Sequence, residues 1–200
     1  MKERFMENMT VKDIIEALNK TKTVLLPIGG TEQHGWHLPL STDAIYGYSL
    51  AKEASRITGC VVAPILNYSH SYGTLAGTTN ISPDTLRRVI VDICFSLTKQ
   101  GFESVIVVLG HGEPSSIHAA EDAVSLFQGN KRAKVVLFTD FPASLRVKEM
   151  IGDEEDGHSG KGETSVIMYL KPELVRKEKP FDPQERWWIK TVAKIHQTGK

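Results

Sequence analysis

The 200 residues, 40% of them hydrophobic, are enough for one globular domain with a sizeable core. The 24 basic and 24 acidic side chains cancel, which excludes a broad basic footprint for nucleic acid, and no apolar run approaches the ~20 residues of a membrane span. The charged opening MKERFMENMT does not read as a secretory signal, and Cys60 and Cys94, in apolar segments without CxxC spacing, read as two buried free thiols, so a cytoplasmic protein is expected.

Along the chain, apolar strands alternate with amphipathic helices. Residues 10–20 read as a helix capped by Thr10, with Val11, Ile14, Ile15 and Leu18 on one stripe. TVLLPI, 23–28, reads as a buried strand, 43–57 as a helix, and CVVAPI, 60–65, as a second strand. Ser82-Pro83 opens a helix over 83–99 with Leu86, Val89, Ile90, Ile93 and Leu97 apolar, ended by Gly101. A third strand over 104–110, a helix over 115–128 and a fourth strand over 134–140 follow. Residues 151–162, rich in glycine and acids, form a loop, and a last helix over 163–170 stops at Lys171-Pro172. Continuous apolar strands separated by helices predict a single three-layer α/β/α domain over residues 1–200, with a mostly parallel central sheet covered on both faces.

Open parallel sheets bind ligands beyond the carboxyl ends of their strands. Strand one is followed by Glu32, His34, His37 and Asp43; strand two by Asn67, Tyr68, Ser69 and His70; strand three by His111 and Glu113; strand four by Asp140. Glutamate, histidine and aspartate are the ligands of Zn²⁺, Mn²⁺ and Fe²⁺. Residues two apart in an extended segment point the same way, so Glu32 and His34 can serve one site, and His111 and Glu113 repeat that spacing. With Asp43, whose two oxygens can bridge two ions, they make five candidate ligands: Glu32, His34, Asp43, His111 and Glu113. An N-cap role would also suffice for Asp43. His37 and mid-helix His118 read as structural, His196 as a surface residue, and Asp140 as a turn former; His70 stands between substrate contact and loop packing. In DEEDGHSGKGETS, 153–165, the acidic run reads as a solvated face, and GKGET lacks the GxxxxGK[ST] spacing of a phosphate loop. His158 fits a general acid or base, and Glu163 fits either a helix cap or an arm to the metal site.

Four segments in order from about residue 24 to 176, LPIGGTEQHGWHLPLSTD, GTTNISPDTL, VIVVLGHGE and HSGKGETSVIMYLKPELV, resemble the creatininase (creatinine amidohydrolase) family. The resemblance implies a hydrolase with two divalent ions, Zn²⁺ or Mn²⁺ first and Fe²⁺ also suited, acting on a C–N amide bond of a small molecule. It implies a parallel α/β sheet and a homo-oligomer, a hexamer by family habit. It assigns Glu32 and His111 to one ion, His34 and Glu113 to the other, and Asp43 to both. His158 matches the histidine beside the reacting group, and Gly77, Thr78 and Thr79 match a substrate-side loop. Beside the resemblance, Glu163 joins His158 as a catalytic candidate and His70 joins residues 77–79 as a candidate substrate contact. Gly157 replaces the glutamate of creatininase itself, its flap tryptophans lack counterparts in 140–156, and relatives continue beyond HQTGK, so the substrate stays open among cyclic amides, formamides and other small molecules. A Glu113 turned outward with one bound ion would favour a single-metal, non-hydrolytic binding protein or isomerase.

Overall fold

The computed structural model describes residues 4–130, 133–139, 146, 148–153 and 156–177. Asp140, His196 and the tail lie outside the described residues. Four strands, β1 (Thr23–Ile28), β2 (Val61–Val62), β3 (Ser104–Leu109) and β4 (Lys134–Thr139), form one parallel sheet in the order β2-β1-β3-β4. The register sets Ile28 beside Leu109, so β1 and β3 end level with each other. Val24 to Ile28 are all buried, as expected of a strand covered on both faces.

Alternate side chains of these strands feed two cores. On one face, Val24, Leu26, Ile28, Val105, Val107 and Leu109 pack with α1 (Val11–Leu18), α3 (Pro83–Lys99) and α4 (Pro114–Ser125). On the other, Leu25, Val62 and Val108 pack with Ala51 of α2 (Thr42–Thr58). The last helix, α5 (Lys161–Leu170), packs on α2 and buries Ile167 completely. The layers are therefore α/β/α. Among the described residues no helix is long and apolar enough to cross a membrane.

Local chemistry explains where the elements depart from the expected bounds. The second strand pairs over two residues rather than 60–65. The chain still follows β1: the Ala63 N–H donates to the Leu25 carbonyl and the Leu66 N–H to that of Pro27. In α1, Ile14, Ala17 and Leu18 face the core, while Val11 and Ile15 are 79% and 59% exposed, so the expected stripe is displaced. Helix α4 is shorter than 115–128, its end passing into turns, and α5 starts two residues before 163. Cys94 is fully buried, and burial pushes its thiol up to about 12; Cys60 is only partly buried, contrary to expectation.

One close approach carries the fold to the site. A Cβ on Gly29, just past β1, would stand 2.4 Å from the Ala44 Cα. Only a glycine there lets the first turn of α2 rest on the strand exit, bringing Asp43 over the end of the sheet.

Candidate metal centre

Asp43 is the second residue of α2 and only 5% exposed. It does not cap the helix; the N-cap is Ser41, and the Asp43 carboxylate faces two imidazoles. Its Oδ1 lies 3.1 Å from His34 Nε2 and its Oδ2 lies 2.7 Å from His111 Nδ1. His34 comes from the extended segment after β1 and His111 from the exit of β3, so the level ends of these strands bring the two rings to one carboxylate. Glu32 Oε2 lies 3.5 Å from His111 Nδ1, and Glu163 Oε2, from the first turn of α5, lies 3.6 Å from His34 Nε2. Gly30 keeps the space open: a Cβ there would fall 2.8 Å from Asp43 Oδ2.

Three overlapping groups result, each with ligand atoms all within 4.8 Å of one another: Glu32, Asp43 and His111; His34, Asp43 and Glu163; and Glu32, His34 and His158. Asp43 belongs to the first two, one oxygen turned to each. The structure does not bring Glu113 into any of these groups. It is the N-cap of α4, where its Oε2 accepts from the Ser116 N–H at 3.0 Å and from the Ser115 hydroxyl. Glu163 stands by His34, where Glu113 was expected.

The hydrogen bonds of this donor set suit it to cations. His34 Nδ1 lies 3.1 Å from the Glu32 carbonyl and His111 Nε2 lies 2.9 Å from the His70 carbonyl. A ring nitrogen facing a carbonyl carries the proton, so each ring turns its other nitrogen, with its lone pair, to carboxylate oxygens. His34 Nε2 is fully buried, with carboxylate oxygens of Asp43 and Glu163 at 3.1 and 3.6 Å. A lone pair cannot face carboxylates in a buried site without a proton or a metal ion between them. Without metal, protons fill the role. Burial pulls both histidines down, but the charge and hydrogen bond of Asp43 prevail, lifting His34 to about 10 and His111 to about 9. Burial pushes the Asp43 carboxyl up, yet the charges of His34 and His111 hold it well below the usual carboxylate range.

His158 tilts over the His34 ring with centroids 4.4 Å apart, and its Nε2 lies 2.7 Å from the Gln33 carbonyl. Gln33 was not anticipated. It is 5% exposed, its Oε1 accepts from the Gly35 N–H, and its Nε2 lies 3.0 Å from His158 Nε2. Its place between Glu32 and His34, both named as candidate ligands, was the available signal. Ser159, also unanticipated, takes a left-handed φ of 59° and donates its N–H to Glu163 Oε2 at 2.6 Å. The Thr78 hydroxyl accepts from the Gln33 N–H and Thr79 bridges Thr31, so residues 77–79 lie against the segment that carries the ligands. His70 directs its Nδ1 to the Ile81 carbonyl. His37 is buried and bonds Thr164 through Nε2, while His118 is exposed on α4.

A family model described as creatinine amidohydrolase matches residues 7–199. The chain is 27% identical over 197 residues to the 3-dehydro-scyllo-inosose hydrolase of Thermotoga maritima, covering 92% of this chain and 62% of that protein. It is 27% identical to the creatinine amidohydrolase of Pseudomonas putida, over 80% of this chain and 68% of that one. It is 31% identical to the mycofactocin precursor peptide peptidase of Mycolicibacterium smegmatis, over 76% and 59%. The chain thus spans between 59% and 68% of the length of these relatives. Among solved structures, a creatininase described as the Mn form matches with a TM-score of 0.77 at 23% identity, over 91% of this chain and 81% of that one. A creatinine amidohydrolase crystal structure matches at 0.76 and 22%, over 91% and 82%. At such identities these structures speak for the fold alone.

Proposed function

The chain belongs to the creatininase family, and from that premise we propose that it is a metal-dependent hydrolase acting on a C–N amide bond, cyclic amide or formamide, of a small molecule. The observation that carries the reading is Asp43, a buried carboxylate with one oxygen turned to His34 and the other to His111. Glu32, Asp43 and His111 would hold one divalent ion, and His34, Asp43 and Glu163 the other. When bound, two such ions supply an acidified water and a polarised carbonyl. Zn²⁺ and Mn²⁺ are the first expectation, with Fe²⁺ also suited to these ligands; creatininase structures described as a Zn–Zn type and as an Mn form support the first two.

The remaining work falls to the chain. The Gln33 carbonyl accepts a hydrogen bond from the Nε2–H of His158, which leaves Nδ1 to accept a proton during attack and return it to the departing nitrogen. The Ser159 N–H steadies Glu163, and residues 77–79 with His70 form the wall that orients substrate. A homo-oligomer, a hexamer by family habit, in the cytoplasm completes the reading; the free thiols of Cys60 and Cys94 suit a reducing compartment.

The alternative, a single-metal binding protein or isomerase, gains from Glu113 facing its own helix. It loses because Glu163 completes a second group in that place.

The test is a screen of Zn²⁺- and Mn²⁺-loaded protein against small formamides and cyclic amides, read by formate release and ring opening. Turnover in one class, reduced at least about 100-fold by Asp43→Ala, is expected. A folded protein that takes up neither metal overturns the reading.

A further inference from the structure

His111 faces Asp43 through Nδ1, so its value as a ligand depends on its proton standing on Nε2. The carbonyl of His70, 2.9 Å from Nε2, holds that proton. The tautomer of His111 is thus set by the position of one backbone oxygen in the long stretch between β2 and α3. Isolated bridges tie that stretch to the segment around β1 at Leu66 and Thr79, and residue 70 takes part in neither.

Ser116 fixes the carbonyl. Its hydroxyl donates to the His70 carbonyl at 2.8 Å and accepts from the His70 N–H at 3.0 Å, grasping both polar groups of one residue. Ser116 is completely buried in the first turn of α4. Its own N–H donates to Glu113 Oε2. A continuous chain of hydrogen bonds therefore runs from Glu113 through Ser116 and the His70 backbone to His111 and Asp43.

We propose that Ser116 is a positioning residue: by clasping the backbone of residue 70 it holds His111 as the Nε2–H tautomer and keeps the Glu32–Asp43–His111 group able to take its ion. The inference rests on the two-ion reading of the site. Glu113 serves the same end by ordering the turn that presents Ser116, which gives it a place in the site's architecture without contact with an ion. The His34–Asp43–Glu163 group draws its tautomer from the Glu32 carbonyl and is independent of this clasp.

The test compares wild-type protein with Ser116→Ala and Ser116→Thr in their Zn²⁺-loaded forms. One readout is stepwise Zn²⁺ affinity against a chromophoric chelator; the other is the His111 tautomer from long-range ¹H–¹⁵N correlation. In Ser116→Ala one binding step should weaken by about 10- to 100-fold, the size seen when hydrogen bonds behind a ligand are removed, with the other step unchanged. His111 should lose its single Nε2–H signature, and Ser116→Thr, which keeps the hydroxyl, should restore both. If Ser116→Ala does not fold, Ser116→Cys keeps the volume, weakens the hydrogen bonds and takes its place. Equal weakening of both steps, no weakening, or an Nδ1–H tautomer in the wild type overturns the proposal. Wild-type protein that binds fewer than two ions overturns the two-ion reading itself; two ions in the wild type with an unchanged Ser116→Ala overturns only this inference.

Discussion

Asp43 cannot stand in its pocket without positive charge beside it, and its two partners supply that charge in different ways with and without metal. In the metal-free chain, His34 and His111 hold protons up to about 10 and about 9, against an ordinary value of 6.5. A histidine that binds its proton more tightly when folded stabilises the fold fully below the unfolded value. That stabilisation declines as pH rises and is gone once the folded values are passed. Asp43 is displaced the opposite way, so its contribution is present above its ordinary 3.8 and lost as acid titrates it. The midpoint of thermal unfolding in EDTA should therefore fall steadily from about pH 7 to about pH 10.5, and saturating Zn²⁺ should remove that fall. A flat profile in EDTA over that range contradicts the assignment of protons to these rings. At this scale the sequence revealed residue types but not orientations. Glu113 has the right type and spacing, yet it directly precedes a proline that starts a helix, and the Ser116 N–H and the Ser115 hydroxyl claim its carboxylate.

Helices and strands were legible where their stabilisation is local and less so where it depends on partners. The start of α1 was readable because Thr10 and Asp13 close a capping box, Asp13 N–H to Thr10 Oγ1 at 3.3 Å and Thr10 N–H to Asp13 Oδ2 at 2.9 Å. Thr10→Ala should cost about 1 kcal/mol in chemical denaturation. Zn²⁺ uptake should stay unchanged, because α1 gives no residue to the site; an equal loss of uptake would place α1 in the site's support. The bounds of β2 were not readable from apolarity alone. Val61, Val62 and Ala63 are buried, but Pro64 is exposed, and the register with β1 stops at Val62.

For the whole molecule, the rule that parallel sheets bind ligands past their carboxyl ends gathers Glu32, His34, Asp43, His111 and Glu113 at one end of the sheet, and the structure groups all of these but Glu113. It worked because strand order and level ends follow from alternating strands and helices, and glycines let α2 close over them. It left Glu163 between two roles, since that residue enters from the helix after the acidic loop, and only the packing of α5 on α2 brings it to His34. The account stands on two groups that share one carboxylate, and counting bound ions tests it most directly. Elemental analysis after Zn²⁺ loading and removal of free metal should give two ions per chain in the wild type, about one in Glu163→Ala and none in Asp43→Ala. A single ion in the wild type, or two retained in Asp43→Ala, would contradict it.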